Sequence, residues 1–128
     1  MRISCLFALF VVLVGCGGAT TNYSCPAVAK PAVVVEVRDA VTSSPIGAGS
    51  QGFVREGGYT DPLIPYEVKQ SDPSVILSLQ AALNRPGTYS VEVQHQGYQT
   101  WTATGVRVTS DACGVVTMRV RADLVPSA

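Results

Sequence analysis

Apolar and polar residues alternate along most of the chain from Ala32 onward. Val33, Val35 and Val37, for example, alternate with Glu36 and Arg38. A period of two places successive side chains on opposite faces of a β-strand. The alternation predicts about seven strands, with Val106 and Val108 as a further short apolar pair; the strands lie at 33–37, 51–56, 59–64, 75–83, 89–94, 98–104 and 116–124.

Turn-forming residues separate these apolar runs. The segments 42–45 (Thr-Ser-Ser-Pro), 57–58 (Gly-Gly), 84–87 (Asn-Arg-Pro-Gly) and 96–97 (Gln-Gly) all have turn chemistry. Short alternating strands with turns about every 8–12 residues are typical of an antiparallel sandwich. We therefore expect an all-β domain.

Two of the predicted strands are ambiguous. The segment 75–83 also fits a helix, but it is short and lacks a good cap, so a strand is favoured. Pro62 interrupts the segment 59–64, because proline has no backbone N–H to donate to a neighbouring strand. That segment is therefore expected at a sheet edge.

The N-terminus has the pattern of an export signal. Arg2 precedes an apolar run from Ile3 to Val14. Such a run spans about 18 Å as a helix, well short of the ~30 Å hydrocarbon core of a bilayer. A positive start, a short apolar run and small residues at its end predict a signal peptide over residues 1–15.

The end of this segment, Leu13-Val14-Gly15-Cys16, resembles the lipobox of bacterial lipoproteins. The resemblance implies cleavage before Cys16 and acylation of its thiol and new amine with fatty acids such as palmitate. Two or more acyl chains give a stable membrane anchor. Gly17 stands where aspartate often signals inner-membrane retention, so the resemblance favours the outer membrane. An ordinary signal peptide with an incidental cysteine is the alternative.

The four cysteines have different expected fates. Cys5 leaves with the signal peptide and Cys16 is lipidated, which leaves Cys25 and Cys113. An exported chain enters an oxidising compartment, where a remaining pair of cysteines favours a disulfide. A zinc site is the alternative, but the close-spaced ligand pairs of such sites are missing from the sequence. We expect no metal and no other cofactor.

The 128 residues suffice for one small domain. Nine basic and nine acidic residues balance. Without an excess of basic residues to neutralise phosphates, nucleic acid is not expected as a partner.

Three segments of the domain resemble the carboxypeptidase regulatory-like family. They are 35–46 (VEVRDAVTSSPI), 85–91 (RPGTYSV) and 95–99 (HQGYQ). Ser44 departs from the family pattern, which has glycine there. The resemblance implies a seven-stranded antiparallel sandwich with the Greek key of transthyretin (prealbumin). It covers residues 32–124, leaving 16–31 as a lipidated tether and 125–128 as a C-terminal tail.

Family membership implies a non-catalytic module, because carboxypeptidase activity belongs to a separate zinc domain. His95 is the only histidine and the only side chain suited to act as a base near neutral pH. The hydroxyisourate hydrolase that shares the transthyretin fold uses several histidines and a Tyr-Arg-Gly-Ser C-terminus. This chain ends in Leu-Val-Pro-Ser-Ala. A hydrolase of this fold therefore remains only a remote alternative, and we expect no catalytic residues.

Other motifs have a structural and a functional interpretation. The segment 47–52 (GAGSQG) matches the dinucleotide-binding pattern, but no helix is predicted after it. Asp61 and Asp72 could bind calcium in loops or only stabilise turns. Tyr98 and Trp101 could stack on a sugar ring or form part of the core.

Together these features predict an envelope lipoprotein anchored to the membrane through Cys16. We expect it to act as a structural or protein-interaction module for an envelope protein partner. A β-sandwich module that binds a glycan or small ligand through Tyr98 and Trp101 is the alternative. Exposed aromatic side chains would favour the alternative and buried ones the structural role.

Overall fold

The structure, a computed structural model, describes residues 15, 17–18 and 24–128. The predicted signal peptide, apart from Gly15, and the predicted lipidation site Cys16 lie outside the described residues. Residues 24–128 form an all-β fold without a helix. The expected fold class is confirmed at this level.

Ten strands are numbered here along the described part of the chain. They are β1 (Pro31–Asp39), β2 (Gln51–Glu56), β3 (Tyr59–Pro62), β4 (Ile64–Lys69), β5 (Asp72–Leu83), β6 (Gly87–Gln94), β7 (Trp101–Val108), β8 (Ser110–Asp111), β9 (Gly114–Val115) and β10 (Met118–Leu124).

Eight of these strands form two four-stranded sheets. The first sheet has the order β10-β1-β5-β4 and the second β3-β2-β6-β7, while β8 and β9 form a separate ribbon. Neighbouring strands are antiparallel except for β1 and β10, which pair in parallel with Val35 opposite Val120. The expectation of antiparallel pairing throughout is wrong at this pair. A parallel pair needs a long crossover connection, and the intervening 40–117 segment provides it.

The two sheets share one apolar core, which gives the fold its sandwich-like character. Side chains from both sheets are almost completely buried in it; they include Val33, Val35, Val37, Leu79, Val54, Tyr89, Val91 and Val93. β1 lies at the centre of its sheet, and its buried run from Ala32 to Val35 includes Val34 on the outer face. An uninterrupted apolar run is typical of a strand covered on both faces.

An ion pair crosses the outer face of the first sheet. Nη1 of Arg119, on β10, lies 3.2 Å from Oε2 of Glu67 on β4, and a second contact makes the pair bidentate. β1 and β5 lie between these two strands. The pair therefore spans the sheet on the side where Val34 and Ser78 are fully buried, and Ser78 donates its hydroxyl to Glu67.

The long strand β5 confirms the strand prediction for 75–83, so the helix alternative is wrong. Its alternation is not regular, because Ile76 packs on the core and Leu83 is 52% exposed although it was expected on the apolar face. Ala82 has a φ of 59°, which breaks the extended geometry immediately before Leu83. A local change of backbone conformation thus reverses the direction of the last side chain.

The predicted strand 59–64 is divided in two. β3 ends at Pro62 on the edge of the second sheet, as the proline indicated, and the chain then crosses at Leu63 to the first sheet. In the first sheet β4 forms the edge next to β5, and several of its side chains, including Ile64 and Tyr66, are exposed. This strand was not predicted, because Pro65 interrupts it and no apolar face is buried.

The remaining predicted strands agree in outline with the alternation. The predicted strands at 89–94 and 51–56 are confirmed as β6 and β2. The segments 98–104 and 106–108 form one strand, β7, which begins only at Trp101. Of the predicted strand 116–124, β10 covers 118–124; Val116 and Met118 are exposed rather than buried.

The predicted disulfide between Cys25 and Cys113 is confirmed. It joins the segment before β1 to the turn between β8 and β9, across 88 positions of sequence. The zinc alternative for these two cysteines is therefore wrong, since both sulfur atoms are consumed in the bridge.

Candidate binding cleft

A polar cleft of about 480 Å³ lies at one end of the second sheet. It forms where β2 begins, where β6 ends and where the chain turns toward β7. Its lining is dominated by side chains that donate and accept hydrogen bonds; these are Gln51, Gln94, His95, Gln96, Tyr98 and Thr100. Among the lining residues, Tyr98 supplies the only large apolar side chain.

The strand register brings two of the glutamines together. Gln51 on β2 is directly opposite Gln94 on β6, and both are exposed. Opposite residues in an antiparallel pair project from the same face with Cβ atoms about 4.5–5.5 Å apart. Nε2 of Gln94 also lies 3.4 Å from Oε2 of Glu92, a weak contact with the nearest acid on that strand.

His95 fixes one wall of the cleft. Its Nδ1 lies 2.9 Å from the carbonyl oxygen of Gln96, and its Nε2 lies 3.1 Å from that of Ala48. The ring thus connects the 95–98 turn to the loop before β2. A neutral imidazole carries one N–H and donates to only one of these carbonyls, whereas the protonated ring donates to both. Both ring nitrogens already face backbone oxygens, which leaves His95 poorly placed to act as a general base.

Gly97 allows the turn beside His95. Its φ is +85°, in the region that residues with a Cβ rarely adopt. Tyr98 N donates to the carbonyl of His95 and closes the turn. The C-terminal residues then pair with this segment, because Ser127 N donates to Gly97 O and Gln99 N donates to Val125 O.

Tyr98 is held by polar contacts as well as by packing. Its hydroxyl donates to Oδ2 of Asp39 at 2.6 Å, and its ring meets that of His95 edge-on at 5.0 Å. Asp39 also accepts hydrogen bonds from the backbone N–H groups of Val41 and Thr42. The Tyr98 hydroxyl, together with those two N–H groups, lowers the pKa of Asp39, while the same hydrogen bond raises the pKa of Tyr98.

Trp101 lies at the start of β7, opposite Val93, and is half-buried. Both Trp101 and Tyr98 pack against the core. Their burial supports the structural interpretation more than a free stacking platform, although Tyr98 also lines the cleft.

A second polar cluster organises the start of β6. The Arg85 guanidinium lies 3.7 Å from the centre of the Tyr59 ring and 3.0 Å from Oε1 of Glu56. Glu56 also accepts the N–H of Thr88. A Cβ on Gly87 would lie 2.5 Å from Glu56 Oε2, so only glycine fits here without displacing that carboxylate. The Arg-Pro-Gly-Thr segment at 85–88 therefore has a structural role, because its contacts with Glu56 hold the turn that leads into β6.

The remaining predicted sites have structural roles in the described region. Asp61 accepts the N–H of Ala82 at 2.7 Å and so links β3 to β5 across the two sheets, and Asp72 accepts from Ser74. Residues 24–128 contain no cluster of three or more histidine, cysteine or acidic side chains that could hold a metal ion. The glycine-rich segment 47–52 leads into β2 rather than a helix, so it lacks the helix N-terminus that a dinucleotide pyrophosphate needs.

The sequence interpretation did not identify the glutamines as a site. Gln94 and Gln96 are close in sequence, but Gln51 is distant, and only the β2–β6 register brings it beside them. The glutamine-rich run 94–99 (QHQGYQ) was the available signal.

The chain matches none of the family models against which it was scanned, and a search of curated proteins finds no relative. Across the residues that the structure describes, no helix has the length and apolar character needed to cross a membrane.

Proposed function

We propose that the protein is an exported lipoprotein, anchored to a membrane through acylated Cys16, whose β-domain is a non-catalytic interaction module of the cell envelope. The observation that carries the proposal is the Cys25–Cys113 disulfide. Disulfides persist in oxidising compartments and are rare in the cytosol. The bridge therefore supports export, which is the process that the N-terminal sequence predicts independently.

We also propose that the domain has the seven-stranded Greek key of the carboxypeptidase regulatory-like family. β3 and β4 can be counted as two halves of one strand that changes sheets at Leu63. With that counting, the two sheets contain seven principal strands. Two of the segments that resemble the family lie at corners fixed by hydrogen bonds: Asp39 stabilises the turn after β1, and Arg85 stabilises the entry to β6.

The non-catalytic part of the proposal rests on how the polar side chains are used. His95 has both ring nitrogens against backbone carbonyls, and Asp39 is occupied by Tyr98 and two backbone N–H groups. A hydrolase needs a base with a free nitrogen or oxygen directed at a nucleophile or water. The transthyretin-fold hydrolase alternative is further disfavoured because the chain has one histidine.

The experiment is expression of the full-length chain and of Cys16→Ser in a bacterium with two membranes. We expect wild-type protein to incorporate labelled palmitate and to fractionate with the outer membrane, whereas Cys16→Ser remains as unlabelled, uncleaved precursor. Cys5→Ser is the matched control, because it alters a cysteine inside the same N-terminal segment and should mature normally. Maturation and labelling of Cys16→Ser at the wild-type level would contradict the proposal.

Cross-linking in intact envelopes, followed by identification of the attached proteins, tests for an envelope protein partner. We expect cross-links to depend on the membrane-anchored form and to weaken strongly in Cys16→Ser. Equal recovery with the unanchored variant would contradict a partner that is met at the membrane.

A further inference from the structure

The cleft beside His95 presents hydrogen-bonding groups without net charge. Gln51, Gln94 and Gln96 each offer an amide that both donates and accepts, and Thr100 adds a hydroxyl. These four residues are exposed, so their polar groups are accessible from solvent. No lysine, arginine, aspartate or glutamate is among the described residues that line the cleft.

This lining restricts the chemistry of a ligand. An anionic ligand would lack a lysine or arginine partner and would meet the nearby Glu92 carboxylate, which contacts Gln94. An apolar ligand would bury polar amides without hydrogen bonds, which is unfavourable. A ligand that carries several adjacent hydroxyl groups can donate and accept at each position, as the amides do.

Two aromatic side chains that line the cleft are held in place by hydrogen bonds and ring contact. The Tyr98 ring is positioned by its hydrogen bond to Asp39 and by edge-on contact with His95. His95 itself is held to Ala48 and Gln96. Rigid side chains reduce the entropy lost on binding, which benefits ligands that bind through a few hydrogen bonds.

We propose that this cleft binds a neutral carbohydrate, with the Gln51–Gln94 pair contacting the hydroxyl groups and the accessible part of the half-buried Tyr98 ring contacting the sugar. The volume of about 480 Å³ is within the ~300–1,000 Å³ range of small-ligand sites. The proposed site shares Tyr98 with the Tyr98–Trp101 pair suggested by sequence, but it is centred on the glutamines and does not include Trp101. The proposal does not depend on the lipid anchor.

The test is titration of the full-length mature protein with maltotetraose, chitotetraose and, as an acidic counterpart, tetragalacturonate. The protein is kept in dodecylphosphocholine micelles, whose headgroup contains no sugar. Chemical shifts of the glutamine side-chain amides report binding at the cleft. Gln51→Ala and Gln94→Ala remove the paired amides, and Gln70→Ala, at the exposed turn between β4 and β5, is the matched control.

We expect at least one neutral oligosaccharide to shift the amide signals of the cleft, and tetragalacturonate to bind more weakly. Gln51→Ala and Gln94→Ala should each raise the Kd of that neutral oligosaccharide about five- to tenfold, the effect of losing one or two hydrogen bonds. Gln70→Ala should leave this Kd unchanged. All variants should retain the wild-type circular dichroism spectrum. Absence of shifts with both neutral sugars at millimolar concentration would overturn the proposal. Equal binding of the acidic sugar, or equal affinity in the glutamine variants, would also overturn it.

Discussion

The hydroxyl of Tyr98 donates a hydrogen bond to Oδ2 of Asp39 and joins two chain segments that are 59 positions apart in sequence. Asp39 ends β1, and Tyr98 follows the 95–97 turn. The backbone of Tyr98 also forms an isolated bridge with Pro126. This single aromatic residue therefore connects the central strand of the first sheet, the turn after β6 and the C-terminal segment.

Tyr98→Phe should lower stability at neutral pH more than at acidic pH. The lowered pKa of Asp39 means that its contribution to stability is fully present above the ordinary aspartate pKa and is lost as the pH falls through the folded-state pKa. Removing the Tyr98 hydroxyl removes the largest cause of that lowering. Urea unfolding of both proteins at neutral pH and at about pH 2 measures the effect. A difference in midpoint of the same size at both pH values would contradict it.

Loss of the disulfide should strongly destabilise the domain. Closing a loop across 88 positions restricts the unfolded chain, and the chain-entropy model gives about 4–5 kcal/mol for a loop of this size. The double variant Cys25→Ala/Cys113→Ala should therefore unfold at a much lower urea concentration than the oxidised wild type. Dithiothreitol should lower the midpoint of the wild type and leave that of the double variant unchanged. Equal midpoints for the oxidised wild type and the double variant would reject this prediction.

Glu67 should affect stability mainly because its carboxylate accepts a hydrogen bond from the buried hydroxyl of Ser78. Its ion pair with Arg119 is more than a third exposed, so the pair alone is expected to contribute under about 1 kcal/mol. Ser78 is fully buried, however, and donates to Glu67. Glu67→Ala should cost about 1–3 kcal/mol because it leaves that hydroxyl without its acceptor.

Glu67→Gln provides the control for the hydroxyl, because the amide oxygen can still accept from Ser78. Its free energy of unfolding should fall by less than that of Glu67→Ala, and high salt should reduce the difference between Glu67→Gln and the wild type. Equal losses for the two variants would show that the ion pair, rather than the Ser78 contact, dominates.

Gly87→Ala should destabilise the domain at the corner before β6. The added Cβ would lie 2.5 Å from the Glu56 carboxylate, which then has to move away from Arg85 and Thr88. Overpacking of this kind costs about 1–3 kcal/mol. Gly58→Ala is the matched control, since nothing lies within 4 Å of its Cβ position. Thermal unfolding of both variants measures the effect. Equal decreases in the midpoints of Gly87→Ala and Gly58→Ala would contradict the contact with Glu56 as the cause.

Alternation predicted the parts of the fold in which one strand face is buried. Val33, Val35 and Val37 enter the core, and Tyr89, Val91 and Val93 do so from the other sheet. The disulfide was predictable because the expected signal-peptide cleavage and lipidation remove Cys5 and Cys16, which leaves Cys25 and Cys113 as a pair. In these cases the information is local, or it depends on residue type alone.

Other features depend on pairings that the sequence pattern does not encode. β4 was missed because it forms a sheet edge with exposed Ile64 and Tyr66, so burial leaves no alternating signature. The parallel pairing of β1 with β10 follows from the path of the whole chain. The cleft requires Gln51 to meet Gln94, which only the β2–β6 register determines.

The disulfide also sets the length of the linker between the proposed anchor at Cys16 and the first residue fixed to the domain. Fully extended, the segment 16–25 reaches about 30 Å, so a bridged Cys25 keeps Cys113 and its ribbon within roughly one bilayer thickness of the lipid surface. With the bridge open, the next attachment is Lys30, whose backbone is hydrogen-bonded to Asn84, and the reach grows to about 50 Å. If Cys16 carries the proposed anchor, the oxidised bridge would keep the domain close to the membrane, and its reduction would let the domain move further away.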